Sequence, residues 1–158
     1  MRSSGCADAL LLAVHWSRRD DVLKQTGDLS GKVIVTCSLP MNADDTGLVI
    51  AHTPRARRSL PRGPTSAGRV GFWHCAERSV VDVFEARRKA TRPSLVYCGD
   101  DAKSKKIAVA LIRDAGFDPV DAGPLRIARY TEPFTLLVAQ LAYEGKSGPE
   151  MAYRFEWF

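Results

Sequence analysis

The sequence predicts an α/β fold in which helices flank a parallel sheet, and three early segments indicate this. Residues 9–14 form a continuous apolar run, which is typical of a strand buried on both faces of such a sheet. Residues 18–25 are polar apart from Val22 and Leu23, and Gly27 follows, so a short surface helix is expected. Residues 32–37 are rich in β-branched side chains and predict a second strand. Strand, helix and strand in this succession indicate a layered α/β domain.

The second half of the chain repeats the alternation. Residues 93–98 predict a third strand, Asp101 is placed to cap a helix over residues 103–115, and Gly116 ends it. The inner face of that helix is expected to comprise Ile107, Ala108, Leu111, Ile112 and Ala115. Residues 117–120 predict a short strand. The almost wholly apolar segment that begins at Phe134 and ends at Tyr143 predicts a helix that is buried or forms an interface.

One segment differs from the rest in composition. The 158 residues contain 23 Lys and Arg against 18 Asp and Glu, and five of those arginines lie in residues 54–76 without an acidic residue. Outside this segment the charges balance. Because prolines and glycines accompany the arginines, we expect residues 54–80 to be irregular and disordered. The length of the chain predicts a single domain over residues 1–158.

The cysteines and apolar segments predict a cytoplasmic protein. Cys6, Cys37, Cys75 and Cys98 are far apart, and none belongs to a CxxC pair. No secretory leader is expected in front of them, so reduced thiols are predicted rather than disulfides. The apolar run of residues 9–14 is far shorter than the ~20 residues that a membrane helix needs, so no membrane partner is expected.

Four stretches, taken in order, resemble a known family. They are residues 7–16 (ADALLLAVHW), 28–53 (DLSGKVIVTCSLPMNADDTGLVIAHT), 92–101 (RPSLVYCGDD) and 116–133 (GFDPVDAGPLRIARYTEP). Together they resemble the NADP-dependent, coenzyme F-420 type (deazaflavin) reductase-like family of dinucleotide-binding oxidoreductases. The strand followed by Asp-Ala-Gly-Pro-Leu at residues 121–125 is the most specific stretch, although an ordinary turn also needs glycine and proline.

The resemblance implies a partial Rossmann-like parallel sheet that binds NADP at the carboxyl ends of its strands. It implies hydride transfer between nicotinamide and a deazaflavin- or flavin-type or small-molecule acceptor, for which the cofactor supplies the chemistry. No catalytic side chain and no metal are therefore expected. The implied cofactor-binding residues belong to two loops: Val14, His15, Trp16, Ser38, Leu39 and Pro40. His15 replaces the proline usual in the family.

The chain also departs from the family. Its 12 glycines include no two separated by a single residue, so the G-x-G-x-x-G turn that holds a pyrophosphate is missing. We therefore expect an N-terminally truncated chain that lacks the first βαβ half, about sixty residues. Residues 70–79, read one base later, can spell Ser-Ala-Phe-Gly-Thr-Val-Pro-Ser-Glu, which the family shows at this point. We interpret this stretch as frameshifted, and sequencing the coding DNA tests that interpretation.

Three functional hypotheses follow. The first is a NADP-dependent oxidoreductase by ancestry, inactive as this chain alone. The second is a non-catalytic remnant that associates, as a homodimer, through the segment from Phe134 to Tyr143. The third is weak nucleic-acid binding through the arginine run, with an affinity that falls steeply with salt. Because no recognition helix or stacking platform accompanies the arginines, no nucleic-acid partner is expected.

The remaining polar residues are assigned structural roles. Those weighed for function are His52, Trp73, His74, Cys75, Asp44, Asp45, Arg126 and Arg129. Trp73, His74 and Cys75 lack a second ligand pair at zinc spacing, so they predict no metal site. Asp44 and Asp45 are expected in a solvated turn or as N-caps. Arg126 and Arg129 could hold a phosphate or an acidic tail, but surface ion pairs with Glu132 are expected instead.

Overall fold

The structure is a computed structural model and describes residues 7–44, 46–49, 68–73, 77–85, 90–146, 148 and 151–158. The described residues form one five-stranded sheet flanked by helices. The strands are β1 (Ala9–Leu12), β2 (Val33–Thr36), β3 (Gly68–Trp73), β4 (Ser94–Gly99) and β5 (Asp118–Asp121). The α-helices are α1 (Arg19–Gln25), α2 (Glu77–Glu85), α3 (Ala102–Asp114) and α4 (Ala128–Ala139). The mixed α/β architecture predicted from the sequence is confirmed.

The strands lie in chain order across the sheet, but they do not all run in one direction. β1, β2 and β3 are mutually parallel, and β5 is parallel to β4. β3 and β4 are antiparallel, so the prediction of a parallel sheet is wrong for this pair. The sequence does not reveal the antiparallel pairing, because a connection that contains one helix can join two strands that are parallel or antiparallel. The chain consequently leaves β4 and β5 in the direction opposite to that in which it leaves β1 and β2.

β3 corrects a second expectation. Residues 54–80 are predicted to be irregular, yet Gly68–Trp73 form β3 and α2 begins at Glu77. β3 is hydrogen-bonded to β2 on one side and to β4 on the other. Two ladders of backbone hydrogen bonds outweigh the weak strand propensity of its two glycines. Most of the arginine run lies outside the described residues.

β1 is shorter and more exposed than predicted. It ends at Leu12, and the Leu11 side chain is 57% exposed, so the expectation of burial on both faces is wrong there. Within the described residues β1 pairs only with β2. The Asp8 and Leu12 carbonyls accept hydrogen bonds from the Val33 and Cys37 amides of β2. Because the backbone groups of a strand alternate in direction from one residue to the next, those of Ala9 and Leu11 are directed away from β2, to the free side of β1. Lysine and proline in an outer strand hinder its pairing with another chain. β1 contains neither residue, whereas β5, the outer strand on the other side of the sheet, contains Pro119.

The larger hydrophobic core lies between the sheet and the helices α2 and α3. It consists of the buried residues Val83, Leu95, Tyr97, Ala108, Ile112 and Phe117. α3 begins at its predicted cap, where the Asp101 carboxylate accepts bonds from the Ser104 amide and hydroxyl, each at 2.6 Å. Its predicted inner face is correct at Ala108 and Ile112 but wrong at Leu111, which is 44% exposed. Gly116 ends the helix with a φ of 98°, a conformation that glycine adopts without strain.

The last helix is longer than predicted. It follows a 3₁₀ turn at Leu125–Ile127, begins at Ala128, and continues beyond Ala139 as a π-helical turn over Gln140–Glu144. The segment at residues 151–158 returns to the sheet. The Ser94 amide donates to the Tyr153 carbonyl at 2.8 Å, and the Phe155 amide donates to the Ser94 hydroxyl at 2.9 Å. None of the helices in the described part of the chain combines the length and apolar character needed to cross a membrane.

Candidate functional site

Two loops meet at the carboxyl ends of β1 and β2. Because the two strands are parallel, the chain leaves both at the same edge of the sheet. The Ser38 hydroxyl bridges the loops by donating to the Val14 carbonyl at 2.7 Å. The Cys37 amide donates to the Leu12 carbonyl at 3.3 Å and holds the base of the junction. The predicted loops are therefore brought together, with Val14 and Ser38 in direct contact.

His15 and Trp16 form the exposed side of the first loop. The His15 ring nitrogen accepts from the Ser17 amide at 3.3 Å and lies 2.8 Å from the Ser17 hydroxyl. His15 thereby caps the 3₁₀ turn Trp16–Arg18 that leads into α1. The indole of Trp16 stacks against the buried Arg19, whose guanidinium carbon lies 4.0 Å from the ring centroid. These contacts fix the position of both side chains at the sheet edge.

Leu39 and Pro40 begin a compact turn after β2. The Met41 amide donates to the Leu39 carbonyl at 2.8 Å, and the Val49 amide donates to the carbonyl of the buried Pro40 at 2.8 Å. Asn42 organises the turn, because its side-chain oxygen accepts from the amides of Thr46 and Gly47 at 2.9 and 3.1 Å. Sequence reasoning missed Asn42. An asparagine followed by acidic residues and glycine is a signal for such a side-chain turn.

One ionisable group near these loops has a shifted pKa. Burial raises the pKa of the Cys37 thiol, so it stays protonated and is a poor nucleophile. Asp44 is exposed, as expected for a solvated turn. The described residues contain no cluster of three or more metal-ligating side chains. His52, His74, Cys75 and Asp45 lie outside the described residues.

The Asp-Ala-Gly-Pro-Leu stretch begins at Asp121, the last residue of β5. The Asp121 carboxylate accepts from the Lys105 ammonium at 2.9 Å and from the Gly123 amide at 2.8 Å. Burial opposes ionisation of Asp121, but the hydrogen bonds from Lys105, Gly123 and Tyr97 and the charge of Lys105 together outweigh it and lower the pKa of Asp121. The Asp100 carboxylate accepts from the Leu125 amide at 2.9 Å. The bonds of Asp121 and Asp100 thus hold the turn that leads from β5 to the last helix.

The expected ion pairs at the start of the last helix are absent. Arg126 and Arg129 are both exposed, and Arg129 stacks on the Tyr130 ring at 4.6 Å. The salt bridges between described side chains include neither arginine, so the pairing predicted with Glu132 is wrong. Desolvation instead raises the pKa of Glu132 to about 7. Glu132 is half-buried, which separates it from both guanidinium groups.

The Ser38 bridge gives the site a direct test. We expect Ser38→Ala to lower the free energy of unfolding by about 1 kcal/mol, because a partly buried Val14 carbonyl loses its donor. Urea denaturation measures this cost. Ser17→Ala is the matched control, since its hydroxyl bonds only to the exposed His15 and its loss is expected to cost under about 0.5 kcal/mol. Equal costs for the two variants would contradict the bridging role of Ser38.

The two loops lie at a position typical of nucleotide sites in α/β sheets. Their exposed His15 and half-buried Trp16 and Leu39 lie beside the carboxyl ends of adjacent parallel strands, where such sheets bind nucleotides. A dinucleotide site also needs closely spaced glycines at a helix start to admit a pyrophosphate. The sequence has no such glycine pair, and α1 is preceded by Arg18 without a side-chain cap.

Comparison with known proteins supports the fold. No protein-family model matches the chain. The structure is similar to the crystal structure of a candidate F420-dependent NADP reductase from Arthrobacter sp. FB24. The TM-score is 0.79, with 20% identity over 96% of this chain and 70% of that chain. It is also similar to the hypothetical protein SMa0349 from Sinorhizobium meliloti, with a TM-score of 0.64 and 22% identity over 78% of this chain and 60% of that chain. The chain therefore has the Rossmann-like α/β fold implied by its resemblance to the F420-type NADP reductase-like family.

Proposed function

We propose that the loops after β1 and β2 are the nicotinamide wall of a NADP-dependent oxidoreductase site. The observation that carries this proposal is the Ser38 to Val14 hydrogen bond, which joins the two loops into one surface at the nucleotide-binding edge of the sheet. Support also comes from the sequence resemblance and from the fold shared with a candidate F420-dependent NADP reductase. The bound cofactor would supply hydride transfer, to or from a deazaflavin- or flavin-type or small acceptor.

The residues of this chain would position a cofactor and exclude water. Val14 and Leu39 would offer apolar contact to a nicotinamide ring, and the Ser38 hydroxyl would hold the loops at a fixed separation. His15 and Trp16 would flank the ribose at the exposed rim. With the neutral Cys37 thiol beneath, no side chain of this wall takes part in bond formation.

We further propose that this chain alone is catalytically inactive. A wall that contacts nicotinamide and ribose leaves the pyrophosphate and the adenosine 2′-phosphate without partners. Phosphate contacts supply much of the binding free energy of a dinucleotide, and the glycine-rich turn that provides them is missing from the sequence. The oxidoreductase predicted from the sequence would therefore hold only the nicotinamide half of its cofactor. We call the surface formed by the loops after β1 and β2 the half-site.

Ligand titration followed by NMR tests the half-site. We expect NADPH and reduced nicotinamide mononucleotide to shift the amide signals of residues 13–17 and 37–41, with dissociation constants no tighter than about 1 mM. Adenosine 2′,5′-bisphosphate is expected to shift none of them. Micromolar binding of NADPH, or nicotinamide-induced shifts confined to other residues, would overturn the proposal.

A matched pair of charge variants locates the binding surface. His15→Glu places a negative charge at the carboxyl end of β1 and is expected to abolish the nicotinamide-induced shifts by repelling the phosphate. Ser30→Glu places the same charge at the amino end of β2 and is expected to leave them unchanged. Both positions are exposed, so neither substitution disturbs the core.

A further inference from the structure

The C-terminal segment, residues 151–158, joins the sheet beside β4. The Tyr97 carbonyl of β4 accepts a hydrogen bond from the Ala122 amide, so the backbone of Tyr97 is directed to the side on which β5 lies. Because backbone groups alternate in direction along a strand, those of Ser94 are directed to the opposite side, where β3 lies. The Ser94 amide donates to the Tyr153 carbonyl at 2.8 Å. The C-terminal segment therefore lies on the β3 side of β4.

This place in the sheet is level with the loop that follows β2. β3 ends at Trp73, which is aligned with Val96 of β4 and, when the register of β2 and β3 is extended by two residues, with Ser38. Ser94 comes two residues before Val96 and is level, by the same count, with Pro40. The C-terminal segment thus continues the position of β3 within the sheet. One strand spacing, about 5 Å, separates that position from the line of β2.

Side chains of the C-terminal segment alternate between two faces. The rings of Tyr153 and Phe155 contact each other at 5.5 Å between centroids. Both rings also contact Phe134 of α4, at 5.0 and 6.2 Å. The Arg154 guanidinium pairs with the Glu156 carboxylate at 2.9 Å. Because each residue meets the second one along, the segment is extended, with an aromatic face toward α4 and a charged face opposite.

The aromatic face lies on the same side of the sheet as Ser38. The Cys98 thiol of β4 donates to the Leu125 carbonyl at 4.0 Å, in the turn that leads into α4, so Cys98 lies on the α4 side. Cys98 is aligned across β3 with Thr36 of β2, and aligned residues share a face of the sheet. By the strand period of two, Ser38 follows Thr36 on that side and Trp157 follows the aromatic face. The indole of Trp157 is 88% exposed.

An exposed indole beside the half-site offers a contact that the two loops do not. Val14 and Leu39 present aliphatic side chains, which do not distinguish a charged ring from a neutral one by attraction. The oxidised nicotinamide ring carries a positive charge, and a cation is attracted to the face of an indole. An indole over the ring would therefore favour the oxidised form.

We propose that the C-terminal segment is a third wall of the half-site and that Trp157 stacks on the bound nicotinamide ring. The inference rests on the proposed function, because the loops after β1 and β2 hold the ring that Trp157 covers. It adds a binding residue from outside those loops. It also assigns to Trp157 the discrimination between oxidised and reduced nicotinamide.

NMR titration of the isotope-labelled full chain with oxidised and reduced nicotinamide mononucleotide tests the third wall. We expect the oxidised form to shift the indole N–H signal of Trp157 together with the amide signals of residues 13–17 and 37–41. The indole signal is identified by its loss in Trp157→Leu. We expect the oxidised form to bind about threefold more tightly than the reduced form, as a cation–π contact at an exposed site allows.

A pair of variants in the same segment isolates the contact. Trp157→Leu is expected to weaken binding of the oxidised form about threefold and to leave that of the reduced form unchanged. Phe158→Leu is the matched control, because Phe158 is also exposed but follows Arg154 and Glu156 on the charged face. It is expected to bind both forms as the wild type does. Since both substituted side chains are exposed, neither melting temperature is expected to change.

The possible outcomes separate this inference from the proposed function. Loop amides that shift while the Trp157 indole does not would overturn the third wall and leave the proposed function standing. The same holds if Trp157→Leu binds the oxidised form as tightly as the wild type, or if Phe158→Leu weakens binding equally. Loop amides that shift with neither form would overturn both proposals.

Discussion

Replacing Phe117 by alanine is expected to lower the free energy of unfolding by about 3–5 kcal/mol, the largest effect of any single core substitution proposed for this chain. Phe117 is 1% exposed and belongs to the core formed with Ala108 and Ile112 of α3 and Leu95 and Tyr97 of β4. Its loss removes apolar contact area and leaves a cavity that the rigid sheet cannot fill. A domain of this size has roughly 5–15 kcal/mol of stability, so the variant approaches its unfolding threshold.

Urea denaturation followed by circular dichroism measures this cost. Leu111→Ala is the matched control, because Leu111 lies on α3, which contributes to the same core, but is 44% exposed. We expect the control to lose under about 1 kcal/mol. A loss below about 1 kcal/mol for Phe117→Ala would show that α3 and β5 are not packed around this ring.

The second large effect concerns the pH dependence of stability at Glu132. Burial raises the pKa of this carboxyl from 4.5 to about 7 in the folded chain. The nearby Cys98 thiol has a pKa raised to about 12, first by its own burial and then by Glu132, so it stays neutral while Glu132 titrates. Between pH 4.5 and about 7, the Glu132 carboxyl is therefore protonated in the folded state and ionised in the unfolded state. The contribution of this bound proton to the free energy of unfolding is fully present below pH 4.5 and is lost as the pH rises through about 7.

Replacing Glu132 by glutamine isolates this contribution. At pH 8 we expect Glu132→Gln to be more stable than the wild type by up to about 3 kcal/mol, since each pKa unit corresponds to about 1.4 kcal/mol. At pH 4.5 the two chains are expected to agree within about 0.5 kcal/mol. Denaturation curves across this range give the comparison. Glu156→Gln serves as the control, because Glu156 is exposed and paired with Arg154. A pH-independent difference between Glu132→Gln and the wild type would contradict the raised pKa.

The sequence patterns predict the elements whose causes are local. The apolar and β-branched runs locate β2 and β4, and Asp101 and Gly116 mark the ends of α3 because capping and positive φ depend on a few neighbouring residues. The meeting of the two loops also follows from the pattern, since parallel neighbouring strands end at one edge.

The remaining features depend on residues that are distant in the sequence. β3 is a strand because β2 and β4 bond to it from both sides, which its glycines do not reveal. The exposure of Leu11 depends on which strands lie beside β1, and three consecutive leucines look the same in either setting. The hydrogen bond from Ser38 to Val14 depends on the rotamer of the Ser38 side chain and joins residues that are 24 positions apart in the sequence. Whether the six predicted cofactor residues bind NADP stays a prediction until the titration is made.

The strand registers set the distance between the turns that follow β2 and β5. Asp121 is aligned, through Tyr97 and Phe72, with the residue that follows Thr36 at the end of β2. The two turns are therefore separated across the sheet by three strand spacings, about 14 Å, and not along the strands. The Val14–Ser38 junction and the Asp121 turn are held by separate hydrogen bonds. Substitutions around Asp121 are consequently expected to alter folding without loosening the junction of the two loops.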